Sequence, residues 1–293
     1  MKLAAYERVG QVYHGALEGE AGDETVRDIG PGDLLALLES GNDWLERARE
    51  AADRARPRSL AEVRLRAPIR RPPKLLALAG NYQEHVREGG VAPVARDRAT
   101  PLLFLKPSSA IIAAGEPVRL PAISTQVDYE LELGVVIGRA CKDVRAEEAL
   151  AVVAGYLVVN DISARSVDWG VPREMTERIG FFDWLNGKWP DTFAPLGPFV
   201  RTADEVPDPQ ALAMRLTVNG EVRQEASTAD MIYTVAEAIA FCSRFMTLEP
   251  GDIIETGTPS GVGATTGTYL RPGDRMEAWI AGLGTLVTPV AGG

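Results

Sequence analysis

From Lys74 onward the chain alternates short apolar runs with turn residues, a pattern that predicts β-strands. The dipeptide Asn219-Gly220 separates two such runs and predicts a tight hairpin turn. A repeated Pro-Gly-Asp, at 250–252 and 272–274, marks two further turns. The predicted strand segments are KLLALAGN, LLFLKP, VDYELELGVVIG, GYLVVND, MRLTVNGEVRQ, DIIETG, RMEAWI and GTLVTPV.

Apolar residues occur at helical spacing in three places. The first stretch follows Pro31-Gly32 and predicts one amphipathic helix, after which an Arg-rich segment ends in Pro72-Pro73 and is interpreted as a linker. The second stretch is RAEEALAVVA, near residues 145–154. The third is STADMIYTVAEAIAFCSRFM, whose predicted N-cap is one of the polar residues near its start, Ser227, Thr228 or Asp230.

Many strands, few helices and hairpin connections favour a β-rich α+β fold. The composition changes near the Pro-Pro pair, which indicates a boundary between two parts of the chain. We predict a small N-terminal α/β domain with its linker over residues 1–70 and a larger domain over residues 71–293.

Charge and composition narrow the possible functions. The chain has 31 basic against 41 acidic residues, a net charge of −10 that disfavours binding to nucleic acid. It contains no apolar run of about 18 residues and no targeting pattern at its start, so we expect a cytoplasmic protein that does not cross a membrane. The two cysteines, Cys141 and Cys242, form neither a disulfide framework nor a metal motif. With two histidines, His14 and His85, a histidine base has only two candidates.

Two carboxylates lie two residues apart in VDYELELGVVIG. In a strand, Glu130 and Glu132 share one face, which is either a polar face in water or part of a site for Mg²⁺ or Mn²⁺. Asp161 ends the strand GYLVVND at the rim of the sheet, where it can supply a third oxygen ligand or cap the segment that follows. The residue types favour an oxygen-rich cation site.

A histidine and a glutamate are placed together in the segment GNYQEHVREGG. Asn81 is the expected cap of a short helical turn, in which His85 and Glu88 are neighbours three residues apart. A carboxylate beside an imidazole fixes its tautomer and raises its basicity, as in an acid–base pair. The following Gly89-Gly90 can serve as a hinge for a lid. The alternative is a surface helix with an incidental histidine.

Two more segments carry candidate groups. Lys188 stands in the aromatic stretch FFDWLNGKW, either as a surface lysine that reaches water or as a buried cation for an anionic substrate. The loop Thr256–Gly263 is rich in glycine but lacks the Gly-Lys-Ser/Thr of a nucleotide P-loop. A turn in this loop can bring Thr258 to a site.

In chain order these segments resemble the fumarylacetoacetate hydrolase family, and the resemblance covers about residues 74–290. It rests on GNYxxHxxE at 80–88, FLKPSSA at 104–110, the ExE strand at 130–132, GYxxxND at 155–161 and ETGTPSGVG at 255–263. The resemblance implies a mixed β-sandwich roll, usually a homodimer, that binds Mg²⁺ or Mn²⁺ and acts on a small anionic 2-oxo acid. Family members hydrolyse diketo acids, decarboxylate or tautomerise oxaloacetate, isomerise, or dehydrate sugar acids.

The resemblance also implies roles for individual residues. The metal ligands are Glu130, Glu132 and Asp161, the catalytic residues are His85, Glu88 and Lys188, and the substrate-binding residues are Lys106, Asp168 and Thr258.

The chain departs from the family in one segment, at Ser166 and Asp168. Where the family commonly has Ala-Arg-Asp-x-Gln, this chain has Ala164-Arg165-Ser166-Val167-Asp168, and an ionised Asp cannot donate the hydrogen bond of the Gln. The expected activity is metal-dependent hydrolysis of a carbon–carbon bond in a 2,4-dioxo acid. The alternatives are decarboxylation or tautomerisation of oxaloacetate, dehydration of a sugar-derived 2-oxo acid, and a non-catalytic metal-binding scaffold. The presence of both the acid–base pair and three carboxylates disfavours the scaffold.

Overall fold

The computed structural model describes residues 1–19 and 24–293. The N-terminal part forms strands and two helices, which are β1 (Lys2–Arg8), β2 (Gln11–Glu18), β3 (Thr25–Pro31), α1 (Leu34–Leu38), α2 (Trp44–Arg54), β4 (Pro57–Ser59) and β5 (Arg64–Arg66). The single helix expected after Pro31-Gly32 is wrong. Two helices form because the chain between them passes through Gly41 at φ 128°, a conformation that a continuous helix cannot contain.

The central part of the chain supplies most of the core strands. Its elements are β6 (Leu75–Ala79), α3 (Gln83–Glu88), β7 (Leu102–Leu105), β8 (Ile111–Ile112), β9 (Val118–Leu120), β10 (Val127–Asp128), β11 (Leu131–Ile137), α4 (Ala146–Ala149), β12 (Val153–Asn160), β13 (Ser163–Ala164) and α5 (Glu177–Asn186). The helix expected near 145–154 is shorter than predicted, because strand β12 already begins at Val153. Helix α5 was not predicted.

The last part adds a second sheet and one long helix. Its elements are β14 (Ala194–Thr202), β15 (Ala213–Val218), β16 (Glu221–Ser227), α6 (Val235–Phe245), β17 (Ile253–Glu255), α7 (Gly263–Thr266), β18 (Arg275–Ile280) and β19 (Gly284–Gly292). The hairpin turn is confirmed, with Asn219 at φ 52° and Gly220 at φ 80°. The predicted N-caps of the helix are wrong. Thr234 caps α6, whereas Ser227 caps a short 3₁₀ turn at 228–230.

A large mixed sheet runs through the molecule in the order β4-β3-β2-β1-β14-β12-β11-β17-β6-β7, with β5 beside β1 and β8 beside β14. Strands β16, β15, β18, β19 and β9 form a second sheet, and β10 pairs with β13. The α+β class rich in strands is confirmed. Strand β1 joins β14 through Lys2↔Arg201 and Leu3↔Val200, so the N-terminal strands extend the sheet. The domain boundary at residue 70 stays a prediction. Within the described residues, no helix is both long and apolar enough to span a membrane.

The predicted strand VDYELELGVVIG is interrupted. Strand β10 covers Val127–Asp128 and pairs with β13, whereas β11 begins at Leu131 and joins the large sheet between β12 and β17. The acidic side chains of this segment are buried, with Glu130 at 5% and Glu132 at 1% exposure, so the solvated polar face is the wrong alternative. The chain therefore carries charged groups into the interior at this point.

Candidate active site

Three carboxylates converge where β11 begins and β12 ends. The register pairs Leu131 with Asn160, and the Asp161 N–H donates to the Glu130 carbonyl at 2.8 Å. As a result, one ligand oxygen each from Glu130, Glu132 and Asp161 lies within 4.8 Å of the others, in a buried position. The pairing of two neighbouring strand ends is thus what brings the acids together.

Two buried lysines contact this cluster. The Lys188 ammonium donates to Glu130 Oε2 and to Asp161 Oδ2, each at 2.7 Å. The Lys106 ammonium donates to Asp161 Oδ1 and to the Phe193 carbonyl, the latter at 2.8 Å. Lys188 is only 2% exposed, so the alternative of a surface lysine is wrong. Both lysines are held at the acids by charge-assisted hydrogen bonds.

A fourth buried acid, Glu255, was not among the expected site residues. Burial raises the pKa of Glu255 to about 8, with Lys106 opposing the shift and Asp161 adding to it. Burial also raises the pKa of Glu132 well above its usual range, and the charges of Asp161 and Glu255 contribute. The site therefore holds more acidic groups than its two ammonium groups can neutralise, and burial favours the protonated forms of Glu132 and Glu255.

This donor set fits a hard divalent cation. The groups are carboxylate oxygens without histidine or cysteine, which suits Mg²⁺ or Mn²⁺ and disfavours Zn²⁺. A double positive charge would offset the repulsion that raises the pKa of Glu132. The residues present therefore match the metal that the resemblance implies.

A buried aspartate that the sequence reasoning left out supports the cluster. Asp128 accepts hydrogen bonds from the backbone N–H groups of Gly263 at 2.6 Å and Ala264 at 2.9 Å. The Arg165 Nε donates to Asp128 at 2.8 Å, and Arg165 also donates to Glu130. Burial raises the pKa of Asp128, and the Arg165 guanidinium opposes that shift. The signal in the sequence was acidic residues at three alternate positions, 128, 130 and 132.

The histidine and glutamate of α3 form the expected pair. His85 Nδ1 and Glu88 Oε1 are 2.8 Å apart. The other oxygen, Glu88 Oε2, accepts from the Gly261 N–H at 2.8 Å and from the Thr265 hydroxyl at 3.0 Å. Burial acts to raise the pKa of Glu88, but the hydrogen bonds from His85, Gly261 and Thr265 outweigh it, and the pKa lies below its ordinary value. Glu88 is therefore held as a carboxylate.

The acid–base pair and the carboxylate cluster are joined by one loop. The Gly257 N–H donates to Glu132, and the Gly261 N–H of the same loop donates to Glu88. Burial acts to raise the pKa of Glu130, but the charges of Lys188, Arg165 and His85 together bring it far below its usual range.

The predicted N-cap of α3 is wrong. Tyr82, not Asn81, occupies the N-cap position of α3. The Asn81 side chain instead donates to the Thr256 carbonyl at 2.7 Å and accepts from the Tyr233 N–H at 2.8 Å. Helix α3 is thus tied to the glycine-rich loop at one end by Asn81 and at the other by Glu88. Movement of this segment as a lid stays a prediction.

The glycine-rich loop contacts the carboxylate cluster through its backbone. The Gly257 N–H donates to Glu132 Oε2 at 2.6 Å. Thr258 is buried beside it, and its hydroxyl accepts from Gln224 Nε2 at 2.8 Å. Gln224 is a third residue that the sequence reasoning missed, and its Oε1 also accepts from the Leu131 N–H at 2.9 Å. This amide links the loop to the start of β11.

Asp168 lies elsewhere. It is exposed, and its carboxylate turns back to accept a hydrogen bond from the Gly170 N–H at 2.8 Å. Its own N–H donates to the Ile123 carbonyl at 2.7 Å. The residue that was expected to bind substrate therefore lies in a surface turn, because the chain leaves the buried region after Arg165.

Comparison with known proteins agrees with this geometry. The family model described as fumarylacetoacetate (FAA) hydrolase C-terminal matches residues 74–291. The mitochondrial oxaloacetate tautomerase of Bos taurus is 40% identical over 263 residues, covering 89% of this chain and 80% of the relative.

Solved structures show the same fold over the full length. A maleylpyruvate hydrolase from Sphingobium sp. SYK-6, in complex with manganese(II) ion and pyruvate, is 31% identical with a TM-score of 0.79, and the match covers 100% of both chains. A 5-carboxymethyl-2-hydroxymuconate delta-isomerase from Mycobacterium smegmatis is 34% identical with a TM-score of 0.77, also over 100% of both chains. Similar proteins thus include a hydrolase, an isomerase and a tautomerase.

Proposed function

Because the chain belongs to the fumarylacetoacetate hydrolase family, we propose that it is a divalent-metal-dependent hydrolase that cleaves a carbon–carbon bond in a short 2,4-dioxo acid of the acylpyruvate type. The observation that carries this proposal is the His85–Glu88 pair at 2.8 Å, beside a buried carboxylate cluster. Hydrolysis needs a base that activates water, and this pair has the form of one.

Glu130, Glu132 and Asp161 would hold one Mg²⁺ or Mn²⁺ ion. The bound ion supplies Lewis acidity toward the oxygens of a 2-oxo acid. Manganese and pyruvate in the similar maleylpyruvate hydrolase support this choice of ion and of substrate class.

The protein's own groups account for the proton transfers. Because Nδ1 of His85 faces Glu88, its Nε2 is free to take a proton from water. The resulting hydroxide oxygen adds to the distal carbonyl carbon of the substrate. The bond between that carbon and the central CH₂ then breaks, and its electron pair passes to the CH₂, which takes up the proton held by His85. The products are a carboxylic acid and pyruvate.

Substrate charge is offset by the buried lysines. Lys188 and Lys106 each carry an ammonium at the cluster, where they can bind a substrate carboxylate once they exchange partners. The Thr258 hydroxyl can donate to the oxygen that becomes negative, since it already accepts from Gln224 and its proton is free to point elsewhere. Such a donor typically contributes about 3 kcal/mol to catalysis.

A second candidate function is tautomerisation of oxaloacetate. It is favoured by the 40% identity to the mitochondrial oxaloacetate tautomerase of Bos taurus. This reaction moves a proton between carbon and oxygen and needs no attacking water, so His85 alone could carry it.

The test is turnover of Mn²⁺-loaded protein with acetylpyruvate and, separately, with oxaloacetate. Release of acetate and pyruvate from the first, abolished by a chelator, supports hydrolysis. His85→Gln should lower that rate by about 10²–10⁴-fold. His14→Gln is the matched control, since it alters the other histidine, and it should retain activity.

Faster keto–enol relaxation of oxaloacetate without acetate from acetylpyruvate would favour the tautomerase. Carbon dioxide from oxaloacetate without acetate would favour a decarboxylase. No reaction with either compound would contradict both candidates and point to a dehydratase.

A further inference from the structure

Glu255 is the last residue of β17 and is fully buried, at 0% exposure. Among residues 1–19 and 24–293, neither of its carboxylate oxygens has a hydrogen-bond partner. Buried polar groups in proteins are normally paired, and an unpaired one costs free energy. A fold that places a glutamate here therefore points to a partner in another state of the protein.

Strand register shows where Glu255 faces. It pairs with Gly134 of β11, two residues after Glu132, and paired residues share a face of the sheet. On its other side it pairs with Ala77 of β6, whose partner on β7 lies two residues before Lys106. Glu255 thus lies on the face of the sheet that carries Glu132. The cross-strand row through Glu255 ends on β7 two residues before Lys106. In agreement, Lys106 is the charge that most strongly lowers the pKa of Glu255, against the larger effect of burial.

Binding of a cation creates a conflict at Asp161. Its Oδ1 accepts from Lys106 and its Oδ2 accepts from Lys188 at 2.7 Å, so both oxygens are already engaged by ammonium groups. A divalent ion that binds an Asp161 oxygen repels the ammonium group on that oxygen and competes with it for the carboxylate charge. Lys188 retains Glu130 Oε2 as a charged acceptor, whereas Lys106 would retain only backbone carbonyls.

We propose that Glu255 accepts the Lys106 ammonium when a divalent ion occupies the Glu130, Glu132 and Asp161 site. Glu255 is then a positioning residue for metal binding, because it receives the cation that the metal displaces. This inference rests on the metal site of the proposed function. With the ion bound, four carboxylates face one dication and two ammonium groups, and the charges of this set balance.

The test is Mn²⁺ affinity of the full chain with Glu255→Gln, measured by calorimetry on metal-free protein. We expect the Kd for Mn²⁺ to rise by about 10–100-fold, the range typical for residues that support metal ligands. The melting temperature of the metal-free variant should stay equal to that of the wild type or increase, because an unpaired buried carboxylate has been removed. Glu249→Gln is the matched control, since Glu249 lies nearby in sequence but is 55% exposed in its pair with Lys74. Both measurements should be unchanged in this control.

A double-mutant cycle with Lys106→Met makes the test specific. The two substitutions should be coupled more strongly in Mn²⁺ affinity than in the stability of the metal-free protein, where Lys106 acts on Glu255 only through its charge. Unchanged Mn²⁺ affinity in Glu255→Gln would overturn the proposal, and so would a lower metal-free melting temperature with no coupling to Lys106. If the wild-type protein binds no Mn²⁺, both the proposed metal site and the role of Glu255 are refuted. If the wild type binds Mn²⁺ and Glu255→Gln binds it equally well, only the role of Glu255 is refuted.

Discussion

Asp128→Asn is the substitution for which the structure makes the sharpest prediction of stability. The Asp128 carboxylate is 0% exposed and holds two segments that are far apart in sequence. It accepts from Gly263 and Ala264 on the glycine-rich side and from Arg165 on the other. Its Oδ1 also accepts from the neighbouring Tyr129 N–H at 2.8 Å.

The expected loss of stability follows from the number of hydrogen-bond donors that would lose their acceptor. Asparagine has nearly the same shape but only one acceptor oxygen, and its NH₂ group donates. If the NH₂ takes the Oδ2 position, it faces the Arg165 Nε and the Ala264 N–H. If it takes the Oδ1 position, it faces the Gly263 and Tyr129 N–H groups. Two donors are left unpaired in either case, and Arg165 loses a charged partner, so we expect a loss of about 3–5 kcal/mol in the free energy of unfolding.

Urea unfolding of the wild type and the variant, followed by circular dichroism, measures this loss. Asp204→Asn is the matched control, because Asp204 forms an exposed pair with Arg49, with side chains 41% and 50% accessible. The control should lose less than about 1 kcal/mol. If Asp128→Asn also loses less than that amount, the carboxylate does not hold the two segments together and the reasoning is refuted.

Two further predictions concern pH. Burial lowers the pKa of His14, so the unfolded chain binds a proton more readily than the folded protein, and stability falls as the pH drops through the ordinary value of about 6.5. His14→Gln should lose less stability between about pH 7.5 and 5 in urea titrations. Equal losses of stability in the wild type and the variant would contradict this prediction. Thr265→Val removes a donor to Glu88, so the pKa of Glu88 should rise and the acidic limb of kcat/KM should move to higher pH. If kcat/KM of the variant decreases by the same factor at every pH, the substitution does not change the pKa of Glu88.

The sequence allowed the site to be predicted, but not its surroundings. Alternation in VDYELEL correctly indicates that Glu130 and Glu132 share a face, because side chains in a strand repeat every two residues. Periodicity does not indicate what covers that face. Here the face is buried because neighbouring strands and the glycine-rich loop close over it, which depends on contacts across more than a hundred residues, such as Gly257 to Glu132.

Local signals also account for helix α5, which was not predicted. Helix α5 contains Phe181, Phe182 and Trp184, and its apolar residues do not form one stripe, so the helical period was hidden. The useful signal was Thr176, whose side chain accepts from the Ile179 N–H at 3.2 Å and caps the helix. Capping residues thus carried information where periodicity did not.

The residues that were missed are those whose role depends on distant partners. Gln224 resembles any polar residue of a hairpin strand, yet its amide joins Leu131 to Thr258. Asp128 looks like another acid of a polar strand until Arg165 is placed beside it, 37 residues later. Local sequence does not reveal the role of these residues, because that role comes from burial and from hydrogen bonds to distant partners.

The acid–base pair and the carboxylate cluster share one support, the loop that follows β17. Its N–H groups donate to Glu132 from Gly257 and to Glu88 from Gly261. A shift of this loop would therefore change the hydrogen bonding of a metal ligand and of the residue that orients His85 at the same time. The two carboxylate oxygens of Glu88 have different partners, since Oε1 contacts the His85 imidazole and Oε2 accepts from the Gly261 N–H of the loop. In the proposed mechanism, one backbone segment thus contacts both a carboxylate of the metal site and the glutamate that faces His85, so a substitution that moves this loop should change Mn²⁺ affinity and turnover together.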